Sequence, residues 1–240
     1  MGIYELPDCN LIRALEKKEG QRADISFKFI SILDDFRERV GTEMEYMKVL
    51  FPQFTPHDEK NHLSRLFFFA DKILGDEKIE KMNASELFVL AVSLYGHDWG
   101  MAVSQNEKRL ITSGEISVDD TGEERIWELE DEQKYVKEFA YKHQIKLSTS
   151  DRFGDISEEL WRDYLRETHA IRSGERVRRY FENKNKSIAE AASKICIGHW
   201  LDMEDIQNPL DYPQDSSVLN QIVNIRALTL YLHSTWKCTT

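Results

Sequence analysis

The chain has 240 residues, of which 43 are acidic and 32 basic, giving a formal net charge of -11. That balance excludes a protein that coats nucleic acid along an extended basic groove or lies on an anionic membrane through a basic patch. A small anionic substrate stays open, because bound cations can supply local positive charge. With 41% hydrophobic residues, 5 Pro and 11 Gly, the composition favours a helical protein with a buried core.

Asp8 precedes the run NLIRALEKKEG, which reads as a capped first helix ending near Gly20. From Asp24, Ile25, Phe27, Phe29, Ile30, Ile32, Leu33 and Phe36 give a second helix a broad apolar face. TEMEYMKVLF continues it from Thr42, and Pro52 and Pro56 mark a turn. A third helix is expected from about Asp58 to Leu74, carrying His62, Leu66, Phe69, Ala70 and Ile73. Asn83 or Ser85 caps ELFVLAVSLYG, which is apolar nearly all round and reads as the central buried helix.

Residues 104–134 read as an exposed loop or insertion. Glu115 to Glu132 holds nine acids and one base, Arg125, leaving a net charge of only -3 on the rest of the chain. A solvated loop is the simpler reading, with Ile126, Trp127 and Leu129 as its docking candidates. Helices resume with DEQKYVKEFAYKHQ, then Ser157 to Thr168, then SGERVRRYFEN from Ser173. SIAEAASKICIGHW and SSVLNQIVNIRALTLYLHSTW supply the last two.

The expected fold is all-α, a helical bundle in one domain over 1–240. Its parts are N-terminal helices over 1–44, a helical core over 45–232 and an acidic insertion over 112–133. Cys9, Cys196 and Cys238 are too few and too scattered for a disulfide framework. The start, MGIYELPDCN, has no secretory pattern, and the apolar stretch Leu87 to Tyr95 is too short to span a bilayer. The expectation is a soluble, cytoplasmic chain with no membrane partner.

The chemistry concentrates in the histidines. His97-Asp98 ends the most apolar helix, in LYGHDWGM. A carboxylate placed there needs a cation or hydrogen-bond donors, because burying it alone is costly. His62, His169 and His199 sit on other helical segments or their ends. Widely spaced ligands are what a bundle uses when facing helices build one metal site. Imidazole with carboxylate suits iron, manganese, zinc or nickel. Arg65, Arg172 and Arg176 lie near these residues in sequence and are candidates to neutralise an anionic substrate such as a phosphate. Trp99 and Trp200 also lie close, and core packing is the simpler reading for both, ahead of base stacking.

The order His62, His97-Asp98, His169, His199 resembles the HD superfamily of metal-dependent phosphohydrolases. FTPHDEKNHLSRL, LAVSLYGHDWGM and RETHAIRS resemble a bacterial HD branch often fused to a GHKL-type ATPase module. The resemblance covers roughly residues 45–232, apart from the acidic insertion. It implies that His62, His97 and Asp98 hold a first divalent metal, and that the catalytic Asp98 bridges to a second held by His169 and His199.

The family pattern includes one more Asp on a late helix. Here that helix reads NIRALTLYLHSTWKCTT, with no Asp after Asp215. His233 and Asp202 are weak substitutes. The chain is therefore expected to be truncated or diverged at its C-terminus, with an ATPase module or a C-terminal extension as partner. The implied function is hydrolysis of a phosphate ester, most simply a nucleotide. The alternatives are a nucleotide-sensing or interaction module without turnover and a di-iron oxygenase.

Overall fold

The computed structural model describes residues 8–21, 27–50, 62–114 and 131–238. Over these residues the protein is an all-α bundle with one small hairpin. The expected turn at Pro52 and Pro56, the pair His57-Asp58 and the bulk of the acidic stretch, with Trp127, lie outside the described residues.

Helix α1 spans Asn10–Gly20. Asp8 does not cap it; its carboxylate pairs with Arg13 at 2.6 Å on the surface. The first amides of α1 are satisfied from another helix instead. Asp71 accepts from Asn10 N at 2.6 Å and from Leu11 N at 3.0 Å. Helix α2 spans Phe29–Leu50. It buries Phe29, Leu33, Phe36, Val40 and Met47, a three-and-four spacing that keeps one stripe on the core.

Helix α3 spans Ser64–Lys81 and runs beyond the expected end at Leu74. Its path breaks at Gly75, where φ is 69° and ψ is 157°, a conformation that favours glycine. Helix α4, Ala84–Gly96, is buried along its whole length. Asn83 starts it with a reciprocal capping box to Glu86. A 3-10 turn, Trp99–Met101, follows.

Helix α5, Gln105–Ser113, replaces the first part of the expected loop. Ser104 and Glu107 form its capping box, and Gly114 ends it in the left-handed region. Helix α6 covers Glu132–Lys142. Helix α7 is one continuous helix, Glu158–Glu182, where a break near Ser173 was expected. Gly174 stays helical because α8, Lys186–Gly198, packs directly on it. A Cβ at Gly174 would meet Ile197 and, at 2.9 Å, the carbonyl of Ser193.

The stretch expected as one last helix divides in two. β1 (Ser216–Val218) and β2 (Gln221–Val223) pair antiparallel around Leu219 and Asn220, both at positive φ, as a two-residue hairpin requires. Ser85 Oγ donates to Val218 O at 3.1 Å, and Asn83 Nδ2 to Ile222 O at 2.7 Å, fastening the hairpin to the start of α4. After the short α9, Met203–Ile206, and this hairpin, α10 spans Ile225–Lys237 and lies against α8 and α3. No helix among the described residues is long and apolar enough to cross a membrane.

Candidate metal centre

Four elements bring His62, His97, Asp98, His169 and His199 together. His62 lies two residues before the start of α3; His97 and His199 are the C-cap residues of α4 and α8; His169 lies within α7. All five are buried. Asp98 stands between two pairs. Its Oδ2 is 3.0 Å from His97 Nε2 and 3.6 Å from His62 Nε2. Its Oδ1 is 3.5 Å from His169 Nε2 and 3.7 Å from His199 Nε2.

The ring orientations follow from the helix ends. A carbonyl can only accept, so a ring nitrogen bonded to one must carry the proton. His97 Nδ1 donates to Leu94 O at 3.1 Å, His169 Nδ1 to Arg166 O at 2.6 Å and His199 Nδ1 to Cys196 O at 2.5 Å. Each bond reaches back three residues. Each fixes the tautomer that presents Nε2 as a lone pair.

Those lone pairs converge. His169 Nε2 and His199 Nε2 are 3.1 Å apart and both face Asp98 Oδ1. His199 is held neutral, well below the usual histidine range, first by burial and then by His97 and His169. Acceptors gathered at such distances repel one another unless a cation lies among them. The donor set of imidazoles and one carboxylate fits a divalent transition metal. Among the described residues, two groups of three could hold a metal ion: His62, His97 and Asp98, and Asp98, His169 and His199. The helix C-termini under His97 and His199 add negative potential of the same sense.

The turn after Asp98 is pinned from three sides. Ser173 Oγ accepts from Gly100 N at 2.8 Å. Trp99 Nε1 donates to Glu43 Oε2 on α2 at 2.7 Å. Arg176 Nη1 donates to the carbonyls of Trp99 at 2.9 Å and Ala102 at 2.5 Å, while its Nη2 reaches Glu107 Oε1 at 2.7 Å.

Arg172 and Arg176, expected to meet phosphate oxygens, are placed against protein acceptors. Arg172 binds Glu132, which also accepts from Tyr164 OH. Arg172 and Glu132 are each 2% exposed, and Arg176 is 1% exposed. Both guanidiniums are paired with carboxylates and buried. Glu132, grouped with the solvated acids by composition, is in fact a buried ion-pair partner. Arg65 is exposed on the first turn of α3.

Asp202, the other described histidines and the tryptophans fall in different places. Asp202 is exposed at the start of α9. His143 stacks on Phe139 at 4.0 Å and meets Glu167 at 3.1 Å. His233, on α10, is buried and donates from Nδ1 to His199 O at 3.1 Å. Trp99 is core, at 0% exposure, whereas Trp200 is 48% exposed with its ring 4.8 Å from His169. Trp236 joins the same wall, 5.4 Å from Trp200 and 5.8 Å from His199. Sequence reasoning did not single out Trp236; its place three residues after His233 on α10 was the available signal.

A family model described as HD-CE matches residues 51–233. The chain belongs to the HD-CE family. The match spans all five clustered residues, and the HD label agrees with the buried His-Asp pair at the end of α4. No curated protein and no solved structure matches this HD-CE chain.

Proposed function

We propose that this HD-CE protein is a metal-dependent phosphohydrolase acting on a phosphate ester, with nucleotides as the substrate class. The observation that carries the reading is one buried carboxylate facing two pairs of imidazoles through its two oxygens. His62, His97 and Asp98 would hold one ion, and Asp98, His169 and His199 a second; iron, manganese, zinc and nickel all suit this donor set. A divalent pair there supplies Lewis acidity toward a phosphate oxygen and activates water. The chain's own part is positional. The Nδ1 bonds aim the imidazoles. The pinned Trp99–Met101 turn keeps Asp98 between α4 and α7. Of the three candidate arginines, Arg65 is the exposed one, suited to meet a phosphate oxygen.

The test is elemental analysis of the purified protein, then phosphate release from a nucleotide panel. One to two transition metals per chain are expected, with release abolished in the double variant His97→Ala, Asp98→Ala. Metal-free protein, or equal release from both proteins, overturns the reading.

A second reading is favoured by α10. That helix carries no carboxylate, and its residue behind His199 is His233. A nucleotide-binding module without turnover would bind the panel in a metal-dependent way and release no phosphate.

A further inference from the structure

We propose that the exposed indole of Trp200, braced by Trp236, is the platform on which the base of a nucleotide stacks while its phosphate lies at the Asp98 cluster. This rests on the phosphoester reading and adds to it where, and by what chemistry, the other end of the substrate is held.

Placement comes first. α8 ends at Gly198, His199 caps it, and Trp200 is the next residue. Its ring is therefore tied to the helix end that presents His199. Trp236 arrives independently on α10, one turn after His233, whose Nδ1 bond to His199 O anchors α10 at the same spot. The two indoles come from separate elements and converge on the His169 and His199 half of the cluster.

Exposure comes second. Trp99 and Trp161 are fully buried, and Trp200 is 48% exposed. Here the exposed indole adjoins the polar cluster and a second indole, so its apolar face and its N–H are both within reach of a ligand held at that cluster. The ring geometry agrees. Trp200 meets His169 at 79°, Trp236 at 66° and His199 at 60°. Among the described residues the ring contacts to Trp200 are edge-on or tilted, a geometry that suits a planar base laid parallel to the indole.

Charge comes third. Asp202, Glu204 and Asp205 follow Trp200 at once and are exposed. They disfavour a further phosphate or a continuing nucleic-acid strand beyond the indole and tolerate a neutral ring. A nucleoside phosphate, with an anionic end and a neutral planar end joined by one sugar, matches this sequence of surfaces. Stacking of this kind is tolerant of base identity, so it selects nucleotides as a class.

The experiment uses the full chain with Mn2+ and compares AMP with ribose 5-phosphate by titration calorimetry at low temperature. AMP is expected to bind on the order of tenfold more tightly. Trp200→Ala is expected to erase that difference, and Trp200→Phe to keep most of it. AMP should also quench tryptophan fluorescence in the wild type and lose that quench in Trp200→Phe. Equal binding of the two probes by the wild type overturns the platform and leaves the phosphate site standing. Binding of neither overturns both. An AMP preference that survives in Trp200→Ala also overturns the platform. If Trp200→Ala loses both probes, Trp200→Phe decides: preference kept supports the platform, preference lost with ribose 5-phosphate still bound overturns it.

Discussion

Gly100 lays its backbone directly against His169 on α7. A Cβ at Gly100 would overlap the carbonyl oxygen of His169 and crowd Arg172 Cβ and Ser173 N at 2.6 Å. The glycine two residues after Asp98 thus sets how closely the two halves of the cluster approach. Gly100→Ala is expected to destabilise the protein by about 3 kcal/mol, the upper range for overpacking, because the blocking atoms belong largely to the α7 backbone. Ser173→Ala removes only the bond to Gly100 N and is expected to cost about 1 kcal/mol. Urea melts of the two variants check the order, and metal content should fall more in Gly100→Ala.

Asp98→Asn separates the metal from the fold. The metal-free cluster gathers acceptors, and an amide brings two N–H donors among them. The variant is expected to match or exceed the wild-type stability without metal. Mn2+ at about 100 times its dissociation constant should stabilise the wild type by about 2.7 kcal/mol and leave the variant unchanged. Thermal melts with Mn2+ and with chelator read both effects.

The Arg172–Glu132 pair tests the arginine assignment. Removing one partner of a buried pair leaves an uncompensated charge, so Glu132→Gln or Arg172→Met is expected to cost about 3–5 kcal/mol. The double variant Glu132→Leu, Arg172→Met should recover a large part of that loss. Denaturant unfolding measures the coupling. A phosphate-binding role for Arg172 predicts instead a loss of phosphate affinity at unchanged stability.

Glu175 supplies a pH signature on α7. Burial pushes its carboxyl up, and bonds from Arg178 and Arg179 outweigh that, so the net direction is down from 4.5. A depressed folded value adds stability above about pH 4.5 that is lost as pH falls through the lower folded value. Glu175→Gln should therefore be less stable than the wild type at pH 6, with the gap closing at acid pH. Urea midpoints across pH 3 to 6 give the curve.

Much of the bundle was legible in the sequence because apolar spacing and caps are local. The stripe of Phe29, Leu33 and Phe36 and the all-round burial of α4 are direct readouts of residue order. The errors share a cause. A break was expected between Thr168 and Ser173, yet α7 runs through it, with α8 packed on Gly174. SSVLNQIV looked helical by continuity, yet Leu219 and Asn220 turn it into a hairpin that α4 hydrogen-bonds. Residues 104–113 looked like loop next to an acidic run, although the Ser104–Glu107 capping signal was there to read.

By itself the sequence determined which residues could carry the chemistry: imidazoles and one carboxylate at the ends of apolar helices, in an order that resembles HD proteins. It could not decide what each charge or ring would face. Arg172, Arg176 and Arg65 look alike as arginines near ligands. Only tertiary packing buries the first two against Glu132 and Glu107 and leaves the third exposed. Trp99 and Trp200 look alike beside histidines, and only the placement of α2, α7 and α10 puts one in the core and the other at the rim. The reason is physical: ligand type is a property of a side chain, whereas desolvation and pairing belong to the neighbours that the fold brings to it.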